Sequence, residues 1–275
     1  EKNKIFIIDS AEKLLDIKNQ EPFKELLITL IKKEWKIIFT TRENYLDDLN
    51  YHFFEIYNIA PQNINIKLLD NKEVENIFSE FNISYIKDEK LRELLKNPFY
   101  LNEFFKIYEN WSKLNYRKFK EKLWDRIIKK KNNQREQCFL NIAFNRANTN
   151  QFYIIPTWYW NIEKELNNDW ILWYESPHGY FITHDIYEEW ALEKIIFTSY
   201  IKKTSNKSFF DDIWTSLPIR RSFRLWLSEK LLNEDDDIKD FILDVLKDNK
   251  MKIYWKDEIL ISVLLSNYSD YFFEN

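Results

Sequence analysis

The chain is 275 residues long, 45% hydrophobic and 31% charged, with a formal net charge of −4, which fits a soluble globular protein of two or three small domains. The mild acidity argues against a wholesale nucleic-acid or anionic-membrane surface, and no apolar run is long enough to span a bilayer. A lone cysteine, Cys138, excludes an internal disulfide and fits a reducing, cytoplasmic compartment.

The chain opens on a hydrophobic strand that ends in an acid, Ile5-Phe6-Ile7-Ile8-Asp9, with Ser10, Ala11 and Glu12 following. A helix is expected over about Ala11 to Lys33, where Leu14, Leu15, Phe23, Leu27, Leu30 and Ile31 recur mostly at helical spacing. A second strand then runs from Trp35 into Thr40, Thr41 and Arg42. Apolar runs joined by a helix read as parallel strands buried on both faces, and the carboxyl ends of such strands are where ligands bind. Asp9 there suits Mg²⁺ beside a nucleoside triphosphate, and Arg42, with a planar fork of donors, suits a phosphate. No G-x-x-x-x-G-K-[ST] loop occurs in the chain, whose single glycine is Gly179. With Glu1 first and Met251 the only methionine, the expectation is a segment that starts inside a longer gene product.

Ile64, Ile66 and Leu68 alternate and predict a third short strand over Ile64–Leu69. Asp70 with Glu73 forms a capping box for the next helix, and Asp88–Lys96 and Phe99–Glu109 follow as amphipathic helices broken at Asn97-Pro98. From Lys118 the pattern predicts helices at Phe119–Lys130 and Gln134–Ala147, an extended run Phe152–Ile155, a helix near Asn161–Asn167, and a hairpin around Ser176-Pro177-His178-Gly179. That order is the order of a winged-helix domain, with Trp158, Trp160, Trp170 and Trp173 read as its core. His184-Asp185 opens a helix to about Lys202, where backbone N–H groups favour anions. From about Ser208 onward, helical pairs predict the start of an α-solenoid.

Taken together, these residues resemble the STAND class of P-loop signalling ATPases, the NB-ARC and NLR-like group, and within it the bacterial antiviral (Avs-type) proteins. The resemblance covers nearly the whole chain. Ile5–Asp9 is similar to the Walker B strand, with Glu12 the acid after it, and Phe39–Arg42 to the sensor strand. Asn97-Pro98-Phe99-Tyr100-Leu101 resembles the proline motif that packs on the nucleotide base, and Tyr180–Asp185 the motif whose histidine, here His184, reads the β-phosphate of ADP. Pro218–Leu227 is similar to the start of the sensor helices. The implied fold is mostly α: the back half of an α/β P-loop core with a parallel sheet (1–69), a helical lid (70–117), a winged-helix domain (118–205) and helical repeats (206–275). The implied catalytic residues are Asp9, Glu12 and Arg42; Thr41, Pro98 and His184 would bind ATP or ADP, and Asp9 would hold Mg²⁺.

The function so implied is a nucleotide switch, ADP-closed and ATP-open, in anti-phage defence. Its partners would be a protein trigger on the repeats and copies of itself on activation, with no membrane. A second reading keeps the helices and drops the nucleotide: a non-catalytic scaffold for protein contacts. A third, DNA binding through the winged helix, would draw on Lys129-Lys130-Lys131 and on Arg220, Arg221 and Arg224. It is opposed by the acids Glu163, Glu165 and Asp169 on the candidate recognition helix. His52 and His178 read as surface or turn residues.

Overall fold

Strands β1 (Ile5–Ile8) and β2 (Lys36–Phe39) pair in parallel, Ile5 opposite Lys36 and Ile8 opposite Phe39. They belong to a computed structural model that describes residues 4–41, 46–83, 86–107, 114–149, 151–156, 161–232, 236–264 and 266, without the side chains of 12, 16, 232 and 236. The chain divides into two units, 1–77 and 78–275. Among the described residues it is mostly helical, with two small two-stranded sheets.

In the first unit the expected long helix is split. A 3-10 helix covers Ala11–Asp16, and α1 covers Glu21–Lys32 with Pro22 in its first turn, where a missing N–H costs nothing. Helix α2 (Leu46–His52) continues into a π-helical turn over Phe53–Tyr57. Ala11, Leu14, Leu27, Leu49, Phe53 and Tyr57 form the core, and Ile8, Ile37 and Phe39 pack against it from one face of the sheet. The alternate residues Ile5, Ile7 and Ile38 are exposed, Ile7 by 62%. The sheet is therefore buried on one face among the described residues, not on both as its continuous apolar runs predict. The strand expected at Ile64–Leu69 is likewise absent: Ile66 is 91% exposed and the segment joins no ladder. Alternation alone does not make a strand without a neighbour to accept its hydrogen bonds.

The capping box forms as expected. Asp70 Oδ1 accepts from the Glu73 N–H and Glu73 Oε2 from the Asp70 N–H, both at 2.8 Å, opening α3 (Asn71–Glu80). In the second unit Asp88 caps α4 (Glu89–Leu95) by accepting from the Leu91 N–H at 2.9 Å. Pro98 then begins α5 (Pro98–Ile107), so the proline starts a helix as well as ending one.

Asn115 caps α6 (Tyr116–Trp124), which ends in a π-helical turn, Asp125–Lys129. Helices α7 (Asn133–Thr149) and α8 (Ile162–Asn168) precede the antiparallel pair β3 (Leu172–Glu175) and β4 (Gly179–Ile182). Ile154 bridges Tyr180 on the far side of β4. Gly179 has φ +113°, and a Cβ there would lie 2.7 Å from the Ile154 carbonyl oxygen, so the turn requires glycine.

Helix α9 (Asp185–Lys202) leads to α10 (Asn206–Ile213), α11 (Leu217–Leu232), α12 (Asp236–Lys247) and α13 (Ile253–Leu264). Their shared core includes Phe209, Phe210, Phe223, Trp226, Phe241 and Trp255. No described helix is long and apolar enough to cross a membrane.

Candidate functional site

The register of the parallel pair continues past its last ladder partners, Ile8 and Phe39, and sets Asp9 beside Thr40. Thr40 donates its hydroxyl to Asp9 Oδ1. The turn is fixed from the backbone as well: Thr40 N–H donates to the Ile8 carbonyl at 2.9 Å, and Ala11 N–H donates to the Thr40 carbonyl at 2.8 Å. Ser10 N–H donates to Thr40 Oγ1 at 3.2 Å while Ser10 holds a left-handed conformation, φ 55°. The result is an exposed carboxylate held by a hydroxyl at the carboxyl edge of two parallel strands.

Thr40 rather than Thr41 is thus the hydroxyl on Asp9, with Thr41 half-buried next to it. Glu12 falls on the 3-10 helix, but its side chain lies outside the described residues, as does Arg42. One carboxylate with a supporting hydroxyl fits Mg²⁺, which keeps most of its waters and takes one or two protein carboxylates beside phosphate. Among the described residues no three His, Cys, Asp or Glu side chains gather into a metal site.

In the second unit the structure brings Pro98 and His184 into one neighbourhood. His184 is the exposed N-cap residue of α9, and its side chain makes no cap hydrogen bond. Its ring meets Tyr187 edge-on at 5.5 Å. Tyr187 meets Phe99, the residue after Pro98, at 6.5 Å, and Trp190 meets Phe99 and Tyr100 at 6.1 Å each. Trp190 Nε1 donates to the Tyr100 hydroxyl at 3.2 Å.

An aromatic seam therefore ties the start of α5 to the start of α9. His184, Tyr187 and Trp190 are spaced by three on one helix, a signal present in the sequence that residue-by-residue motif reading misses. Burial pushes the Tyr187 phenol up, with the Arg126 guanidinium acting against it. Near the start of α9, buried Arg146 donates to the Ile182 carbonyl at 3.4 Å, lies 3.4 Å from Glu188 and covers the Phe152 ring.

Four of the basic side chains prove to be paired. Lys129 lies 3.6 Å from Glu136, and Lys130 is 2.6 Å from Asp169, which also takes Arg135 at 2.7 Å. Arg220 and Arg224 both reach Glu258, Arg220 at 3.3 Å. Two further expectations are corrected. Trp170 and Trp173 stack on each other at 5.1 Å, with Trp170 65% exposed, so they lie at the surface and not in the core; Trp158 and Trp160 lie outside the described residues. His52 is half-buried against Tyr57, and that burial lowers its pKa, whereas His178 is exposed in the hairpin turn.

No family model matches the chain. Over 120 residues, 42% of the chain, it is 35% identical to a UDP-N-acetylenolpyruvoylglucosamine reductase of Buchnera aphidicola subsp. Acyrthosiphon pisum (strain APS). The match spans 33% of that protein's length.

Proposed function

We propose that the chain is the central segment of a STAND-class signalling ATPase, a switch between an ADP-closed and an ATP-open state that serves anti-phage defence. The observation that carries the reading is the Asp9–Thr40 hydrogen bond across the carboxyl ends of two parallel strands. A carboxylate so placed is where a P-loop ATPase needs one. Magnesium bound with ATP would neutralise charge on the phosphate oxygens. Asp9 would hold its water shell, and Thr40 keeps the carboxylate from rotating away.

The second unit supports the same reading. Helices α6 and α7, the Ile154 bridge, α8 and the β3–β4 hairpin follow the order of a winged helix. Helices α3 to α5 stand where the resemblance puts a lid, and α10 to α13 where it puts the first sensor repeats. His184 offers an exposed imidazole at the N-terminus of an 18-residue helix, where the dipole favours a diphosphate. A protein trigger on the repeats and self-association in the ATP state complete the proposal.

The test is His184→Ala in the protein that carries this segment. ADP that copurifies with the wild type should be lost or exchange at least about tenfold faster, the effect of removing one charged hydrogen bond worth about 1.4 kcal/mol or more. Unchanged ADP occupancy and exchange would remove His184 from the switch.

A further inference from the structure

Three helices converge on Lys120. Its Nζ on α6 lies 2.8 and 2.9 Å from the two oxygens of Glu193 on α9, and 2.9 Å from Glu229 Oε2 on α11. Tyr116, one turn earlier on α6, donates its hydroxyl to the same Glu229 oxygen at 3.3 Å. Glu193 and Glu229 thus meet on one ammonium group. Two like charges brought this close in a half-buried site favour a proton on one of them.

Tyr100 of α5 feels the charges of Lys120, Glu189 and Glu193. Lys194, next in sequence to Glu193, is committed to Glu136 at 2.8 Å, and Lys230 lies over the Phe197 ring. Lys120 faces both carboxyls, and all three side chains are half-buried.

We propose that Lys120, Glu193 and Glu229 form a proton-sensitive latch that clamps α6 to α9 and α11 while one of the two carboxyls is protonated, and slackens when both are ionised. Burial has the largest effect on Glu193 and pushes it up to about 7, Lys120 pulling it down and Glu229 adding repulsion. For Glu229 burial also acts upward, but Lys120 prevails and holds it below the ordinary range. The sign follows from proton counting. The folded state keeps a proton on Glu193 that the unfolded chain releases near 4.5, so this contribution to stability is present at low pH and is lost as pH rises towards about 7. The closed seam therefore belongs to acidic pH and slackens by about neutral pH.

The experiment is thermal unfolding of the whole chain against pH, wild type beside Glu193→Gln. Glutamine can accept from Lys120 as the protonated acid does, and it does not titrate. The wild type should lose Tm between about pH 5 and about pH 7, and the variant should lose less than about half as much. Histidine titration is common to both proteins and cancels in the difference. Equal losses would overturn the latch. Should the variant fail to fold, the ¹³C carboxyl resonance of Glu193 in the wild type decides: titration near 7 supports the latch, and titration near 4.5 refutes it.

Discussion

Glu258→Ala probes how the last helices are held together. Glu258 on α13 is 3% exposed and accepts from two arginines on α11. Arg224 meets it in a fork, with Nη2 at 2.9 Å from Oε1, and Arg220 adds a contact at 3.3 Å. Removing the carboxylate strands both guanidiniums beside the buried core. Breaking a fully buried pair costs about 3–5 kcal/mol. Here the two arginine side chains are 31% and 33% exposed and regain some water, which argues for the lower end.

The expected loss is therefore about 3 kcal/mol, or a Tm drop of about 6–12 °C for a unit of this size. The assay is urea and thermal unfolding of the wild type, Glu258→Ala, Arg224→Met and the double variant. The cycle should return a coupling of about 1–3 kcal/mol between Glu258 and Arg224. A loss under about 1 kcal/mol with no coupling would show that the fork contributes nothing to joining α11 and α13.

Two other expectations concern ionisation. Burial acts to raise Asp169, but Lys130 and Arg135 outweigh it and hold the carboxyl below the usual range. A depressed carboxyl stabilises the fold above its unfolded pKa and ceases to do so as pH falls through the folded one. The stability gap between wild type and Asp169→Asn should therefore be full at pH 7 and close below about pH 4, as followed by urea unfolding; a gap that persists in acid would refute the pairing. Burial pushes the Cys138 thiol up to about 12, Glu163 adding to the effect and Arg135 opposing it. Iodoacetamide at neutral pH should leave the native thiol unmodified and label it in denaturant, whereas rapid labelling of the native protein would mean that α7 opens readily.

Local grammar was the most readable part of the chain. The Asp70–Glu73 box, the start of α9 at His184-Asp185 and the glycine-dependent hairpin each depend on a few adjacent residues, and each forms where the sequence puts it. What depends on partners far along the chain was not readable. Ile64–Leu69 alternates like a strand but finds no neighbour, and the faces of β1 and β2 cannot be told apart when both are apolar. The Lys120 network joins residues 73 and 109 positions apart, and nothing local in Tyr116–Trp124 signals it.

The candidate site divides in the same way. Asp9 follows from a strand that ends in an acid, but its partner Thr40 needed the strand register. The cluster Arg220, Arg221 and Arg224 read as a basic patch because Glu258, more than thirty residues later, is invisible to local charge counting.

The proposed switch requires Asp9 to handle a magnesium-bound nucleotide, and the decisive measurement is ATP hydrolysis by Asp9→Ala in the protein carrying this segment. Magnesium-dependent ATP hydrolysis should fall at least about a hundredfold, matching the loss of an electrostatic contact worth about 2.7 kcal/mol or more. The circular dichroism and Tm should stay near those of the wild type, because the Asp9 side chain is exposed. Wild-type turnover from a folded Asp9→Ala protein would contradict the account and place the chemistry elsewhere.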